Sequence, residues 1–162
     1  MFIGESPPGR EGIFFYNPQK EGPFRKNIFG LLEIDKSGYD GLCDFKRRGF
    51  LLTDVLKCRV NKEGKTIPRN VTRNCLEILK LEIELLSKNV KKIVVLGKTA
   101  LEALKMLGFS EPKGLSVTKN KGEIVKSQGF EIFICTLPFA ITKRYWDTPE
   151  VRDSLRRFVR YA

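Results

Sequence analysis

The sequence predicts an α/β fold: a three-layer α/β/α arrangement with a short, mainly parallel central sheet. Three observations carry this. Short apolar runs alternate along the chain with segments of helical spacing. Strands separated by helices require crossover connections, which build a parallel sheet with helices on both faces. The chain has 162 residues, 41% of them hydrophobic, enough to bury one core. Residues 1–162 therefore read as one domain.

The elements follow in order. Met1-Phe2-Ile3-Gly4 reads as a short strand ending in a turn, and its abrupt start suggests a natural start further upstream. Residues 5–23 are rich in Gly and Pro and form a long loop; such loops usually carry function. From Phe24 to Ile34, apolar residues at 24, 28, 31 and 32 mark a helix. Gly49 to Leu56 is a second strand, and Asn61 to Arg69 a Lys/Gly/Pro loop. Asn70 to Asn89 is an amphipathic helix with Leu76, Leu79, Ile83 and Leu86 on one face, capped by Asn70 or Thr72. Lys92 to Leu96 (K-I-V-V-L) is a buried-type strand. Thr99 opens a helix that runs to Leu107 and is ended by Gly108. Lys113 to Ser127 is polar, a loop or a hairpin. Phe130 to Thr136 is the last core strand, and Pro149 to Tyr161 a final helix.

Composition narrows the function. Lys+Arg total 30 against 19 Asp+Glu, a net charge of +11. Such an excess suits a polyanionic partner, most often nucleic acid. A heat-tolerant charged surface is the alternative, since few Met and many Lys and Glu fit a thermophile. Such surfaces balance their signs, and this one does not. No window approaches the roughly 18 apolar residues of a membrane span, and no secretory signal opens the chain; a cytoplasmic monomer is expected. The chain has no His. That excludes Ser-His-Asp and Cys-His chemistry and His-ligated zinc. Cys43, Cys58, Cys75 and Cys135 include no C-x-x-C pair, and reduced thiols are expected. A four-thiolate cluster is the alternative.

In a parallel sheet the site lies at the carboxyl ends of the strands. Four such ends are expected to line it: Gly4-Glu5-Ser6-Pro7, Thr53-Asp54, Gly97-Lys98-Thr99 and Thr136-Leu137-Pro138. A strand-end carboxylate such as Glu5, with Glu11 nearby, can position water or stabilise a developing cation. Capping backbone amides is the plainer role. Asp54 has the same choice, against an Asx-turn. Lys98 and Thr99 bring a cation and a hydroxyl to a helix N-terminus, which suits a phosphate; a plain helix cap is the alternative. A Walker A loop is absent. Phe14, Phe15, Tyr16 and Phe24 can stack a base or pack the loop. Thr142-Lys143-Arg144-Tyr145-Trp146 mixes cations with aromatics, suiting a single strand or a flipped base, or else a packed loop edge.

The order of these pieces resembles the uracil-DNA glycosylase superfamily, nearest its thermophilic iron–sulfur branch. That branch opens with G-E-A-P-G-x-x-E; here Gly4-Glu5-Ser6-Pro7-Pro8-Gly9-Arg10-Glu11 keeps both Glu. Pro23-Phe24 and Leu31-Leu32 match the ends of its next motif, after a longer loop. Its N-x-x-K-C-R is matched by Asp54-Val55-Leu56-Lys57-Cys58-Arg59, with Asp for Asn, and a further cysteine by Cys75. Ile93 to Ala100 matches its v-i-v-x-L-G-x-x-A, and Leu137-Pro138-Phe139 falls on its H-P-[SA]. The similarity spans nearly the whole chain.

The resemblance implies a DNA-binding glycosylase that hydrolyses the N-glycosidic bond of a flipped, damaged base. Glu5, with Glu11, would take the water and sugar-cation side. Phe24 would stack the base, with Ser6 and Leu137 beside it. Lys98, Thr99, Lys143 and Arg144 would meet phosphate. Asp54 would face the base edge, where an ionised carboxylate offers acceptors only. Leu137 replaces the His that stabilises the leaving base. Cys58 and Cys75 match only two of four cluster ligands, so no cofactor and no metal are expected. The motif order suggests that Glu5, Asp54 and Leu137 share three neighbouring strand ends. The rivals are an inactive member that binds damaged or single-stranded DNA, and a nucleotide- or phosphate-binding α/β protein.

The charge excess generates a first prediction. DNA affinity should fall steeply from low to moderate salt, because phosphate contacts release counterions. A flat or absent response in a binding titration rejects the nucleic-acid reading.

Overall fold

A computed structural model describes residues 1–8, 12–58, 69–109, 114–136 and 148–160. They form β1 (Phe2–Gly4), α1 (Pro23–Leu31), α2 (Gly38–Arg47), β2 (Leu52–Asp54), α3 (Arg69–Leu86), β3 (Lys92–Leu96), α4 (Lys98–Met106), β4 (Ile124–Ser127), β5 (Phe130–Cys135) and α5 (Pro149–Arg160). The sheet order is β2-β1-β3-β5-β4. β1 pairs in parallel with β2 and with β3, and β3 in parallel with β5. β4 closes one edge as the antiparallel arm of a hairpin with β5. The sheet is therefore mainly parallel, as the sequence predicts; of the segment read as a loop or hairpin, Ile124–Ser127 forms one arm of a hairpin whose other arm is β5.

Strand side chains alternate between two cores. Ile3, Ile93, Val95, Ile132 and Ile134 face α3 and α4, against Leu76, Leu79, Ile83, Ala100, Leu101 and Leu104. Phe2, Val94, Leu96, Phe133 and Cys135 face the other way, onto α1, α2 and α5. This is the three-layer α/β/α fold. The face of α3 read from the sequence is the one it buries.

Three boundaries move. The second strand is confined to Leu52–Asp54. α3 begins at Arg69, so Asn70 and Thr72 lie inside the helix rather than at its cap. The segment after Ile34, with no element assigned from sequence, holds α2. Gly38, Gly41 and Asp44 obscure its apolar pattern, yet its Phe45 is the hub of the aromatic core. Ring centroids of Phe15, Phe50, Phe29 and Phe2 lie 5.1, 5.5, 6.0 and 6.2 Å from it. Asp44, 5% exposed, pairs with Arg47 and, at 2.7 Å, with Arg48. Burial works against its charge, but the two arginines outweigh burial and hold its carboxyl below the usual value. Arg48 also donates to the Leu32 carbonyl at 2.9 Å, tying the end of α2 to the end of α1.

Gly41 lets α2 seat this closely. A Cβ there would lie 2.6 Å from Phe29 Cε2 and would also overlap the Lys36 carbonyl oxygen. Gly41→Ala should therefore destabilise the fold by about 1–3 kcal/mol through overpacking. Helix propensity alone favours Ala by about 1 kcal/mol. Chemical denaturation decides between the two: a more stable variant would mean that α2 does not need this contact.

Candidate active site

β1 is the point where the strand order reverses. The chain leaves it for β2 on one side and returns to β3 on the other. In doubly wound sheets the crevice for ligands opens at the carboxyl ends beside that reversal.

The β1 and β2 ends are locked together. Gly4 stands opposite Asp54 in the parallel register. Main-chain bonding continues beyond the strands: Val55 N–H donates to Gly4 O and Leu56 N–H to Glu5 O, both at 2.9 Å. The Asp54 carboxylate lies over Gly4, in space that a Cβ at that position would occupy. Glu5 and Asp54 thus sit on adjacent, hydrogen-bonded strand ends, and both are half-buried. Ser6, also half-buried, follows directly.

The long loop is pinned to this corner. Tyr16 hydroxyl donates to Leu52 O at 2.9 Å and accepts from Leu52 N–H at 2.8 Å. Leu52 lies on β2, an edge strand, so one side chain satisfies an edge donor and acceptor together. Burial raises the Tyr16 phenol above its ordinary pKa; the bond to Leu52 works the other way, and the charge of Asp54 adds to the rise. Arg25, 1% exposed, binds the carbonyls of Phe15 and Asn17 at 2.8 and 2.6 Å and Glu21 at 3.2 Å. For Tyr16 the loop-packing alternative holds, although its hydroxyl bonds to the β2 edge were not foreseen; Arg25 was missed, its only signal being an arginine beside a long loop.

The loop aromatics divide by role. Phe15 is buried and packs on Phe24, Phe29 and Phe45. Phe14 is exposed, and Tyr16 is spent on the β2 edge. Phe24 is half-buried at the start of α1, with the Phe15 ring edge-on at 6.0 Å.

At the end of β3, Gly97 has φ 93°, a left-handed conformation that favours glycine. Its N–H donates to Cys135 O at 2.9 Å, joining the β3 and β5 ends. α4 starts there with no side-chain cap on its N-terminus; Lys98 is exposed and Thr99 half-buried. One expectation needs correction. The β5 end, which leads to Leu137, is not adjacent to β1, because β3 lies between them. Glu11, Leu137, Lys143 and Arg144 themselves lie outside the described residues.

The cysteines do not converge. Cys75 on α3 is buried and its sulfur accepts from Lys57 N–H at 3.4 Å. Lys57 Nζ bonds Glu82 at 2.6 Å and Thr53 at 2.8 Å, fastening the β2 exit to α3. Cys135 faces the opposite core, where burial pushes its thiol up to about 12. Cys43 lies on α2, on that same side. The sheet separates these from Cys75. The described residues hold no group of three or more potential metal ligands.

The fold is that of a doubly wound α/β protein, with Glu5 and Asp54 side by side where the strand order reverses. The family model for the uracil DNA glycosylase superfamily matches residues 1–157, and the chain belongs to that superfamily. It is a DNA glycosylase-like protein. No curated protein matches the chain. Among the described residues, no helix is long and apolar enough to cross a membrane.

The thiol arrangement yields a direct check. Cys43 and Cys58 are exposed, Cys75 and Cys135 buried. A disulfide reagent should label the exposed pair in the native protein and the buried pair only after unfolding. Rapid native labelling of Cys135 would contradict its placement.

Proposed function

We propose that this protein hydrolyses the N-glycosidic bond of a damaged base flipped out of DNA. The observation that carries the proposal is the pairing of Glu5 and Asp54 on neighbouring strand ends. Main-chain bonds fix the backbone from which both carboxylates project, which supports a site formed before substrate arrives. Glu5 orients a water against the sugar and stabilises its cationic character as the bond breaks. The water oxygen bonds to C1′, the C1′–N electrons leave with the base, and the water's proton passes through Glu5 to solvent. Glu11 supports the same side. Asp54 accepts hydrogen bonds from donors on the base edge. Phe24 stacks the base, with Ser6 and Leu137 lining the pocket. Lys98 and Thr99 offer a phosphate the uncapped start of α4, and Lys143 and Arg144 add cationic contacts. The net charge of +11 favours the DNA strand as a whole.

The sequence motifs stand nearest the thermophilic iron–sulfur branch; of the two cysteines that match its cluster ligands, Cys58 is exposed and Cys75 is buried on α3. A non-catalytic DNA binder is the second reading, favoured by one observation. The chain contains no His, so no imidazole stabilises the departing base. Losing one such donor slows a reaction roughly 100- to 1,000-fold.

The deciding experiment is an excision assay at elevated temperature, on oligonucleotides bearing uracil, hypoxanthine or xanthine. Slow excision is expected from the wild type, faster excision from Leu137→His, and slower from Glu5→Gln. If wild type and Leu137→His are both inert on every base while DNA still binds, the protein is a binder only.

A further inference from the structure

α3 carries two apolar stripes. Leu76, Leu79 and Ile83 are buried against the sheet. Ile78, Leu81 and Leu85 are 44%, 57% and 79% exposed. Their spacing of i, i+3 and i+7 sets them in line along the helix, on the side turned away from the sheet. Isolated apolar residues are ordinary on a surface. An aligned set on a helix already anchored by another face is a seam of the kind a second helix packs against.

Charge selects the occupant. With Ile78 and Leu85 at heptad position a and Leu81 at d, Glu77 and Glu84 fall at g and Glu82 at e. Glu77 and Glu84 are exposed; Lys80 stands 3.9 Å from Glu84. This flank is acidic on a chain of net charge +11, which makes it a poor surface for DNA. A second copy of the chain fits no better. Antiparallel pairing would set Glu77 and Glu84 against the same residues of the copy. Parallel pairing would set Glu77 against its Glu82 and leave Glu84 facing Asn89, without a cation. Like charges across an interface are unfavourable in either case.

We propose that α3 docks an amphipathic helix of a partner protein, with aliphatic anchors on Ile78, Leu81 and Leu85 and Lys or Arg facing Glu77 and Glu84. The seam lies on the side of α3 turned away from the sheet, whereas the candidate site opens beyond the strand ends. The partner therefore binds without displacing DNA.

The test uses two labelled synthetic helical peptides with leucine at matching spacing, one flanked by Lys and one by Glu, titrated by fluorescence anisotropy. The Lys-flanked peptide should bind roughly tenfold more tightly. Leu81→Glu should abolish that binding and leave oligonucleotide affinity unchanged. The double variant Glu77→Lys/Glu84→Lys should reverse the preference. All three positions are exposed, so the variants should keep the wild-type circular dichroism and melting. Equal binding of both peptides, or binding of neither, overturns the proposal. So does a dimer in sedimentation that Leu81→Glu dissolves, which would assign the seam to a second copy.

Discussion

The structure depends on β1, a strand of 3 residues that pairs on both sides. Phe2 pairs with Leu52 on one flank and Val94 on the other; Ile3 pairs with Thr53 and Val95. The two side chains go to opposite cores, Phe2 to the aromatic one and Ile3 to the aliphatic one. A slip of one residue would exchange them, placing a phenyl ring among α3 and α4. Register is therefore strongly specified despite the short strand. The same register leaves Gly4 opposite Asp54 and projects Glu5 past the end of the ladder. Core packing and site geometry are one constraint.

The long loop extends that constraint outward. β2 is an edge strand, and an open edge is prone to pairing with other chains. Tyr16 occupies it with both hydrogen bonds of its hydroxyl to Leu52. Arg25 then gathers the carbonyls on either side of Tyr16, those of Phe15 and Asn17. Glu21 and these carbonyls replace the water of Nε and Nη1, while Nη2 is buried with no hydrogen-bond partner among the described residues. Since Arg25 directly follows Phe24, the group that holds the loop also holds the aromatic ring proposed to stack the base.

Some of this was legible in the sequence and some was not, for physical reasons. β3 was plain, because a strand buried on both faces is apolar throughout, as K-I-V-V-L is. α3 was plain because Leu76, Leu79 and Ile83 keep helical period. β4 stayed ambiguous because an exposed edge strand needs little apolar pattern; Ile124 is 52% exposed. α2 was hidden by Gly41, which a helix disfavours and this packing requires. At the site, motif order brought Glu5 and Asp54 together correctly, since consecutive strands are often neighbours. It could not show that β3 separates β1 from β5. The seam on α3 was less evident: helical period sets Leu81 apart from Leu79, but it does not show that Ile78, Leu81 and Leu85 stay exposed.

The exchange of Asn for Asp at position 54 bears on which base the proposed pocket would accept. An amide would answer uracil with a donor and an acceptor at once; a carboxylate offers acceptors only. Facing uracil, it could take the ring N–H, but the adjacent carbonyl would meet negative charge. Asp54 is half-buried and its carboxylate lies over Gly4. An acceptor-rich edge favours a base presenting more donors, and xanthine, with ring N–H groups at N1 and N3 on either side of a carbonyl, presents one more than uracil does. Within the proposed reaction, then, the superfamily's usual uracil is not the base that this carboxylate suits best. The comparison of uracil with purine lesions is therefore a test of Asp54 itself.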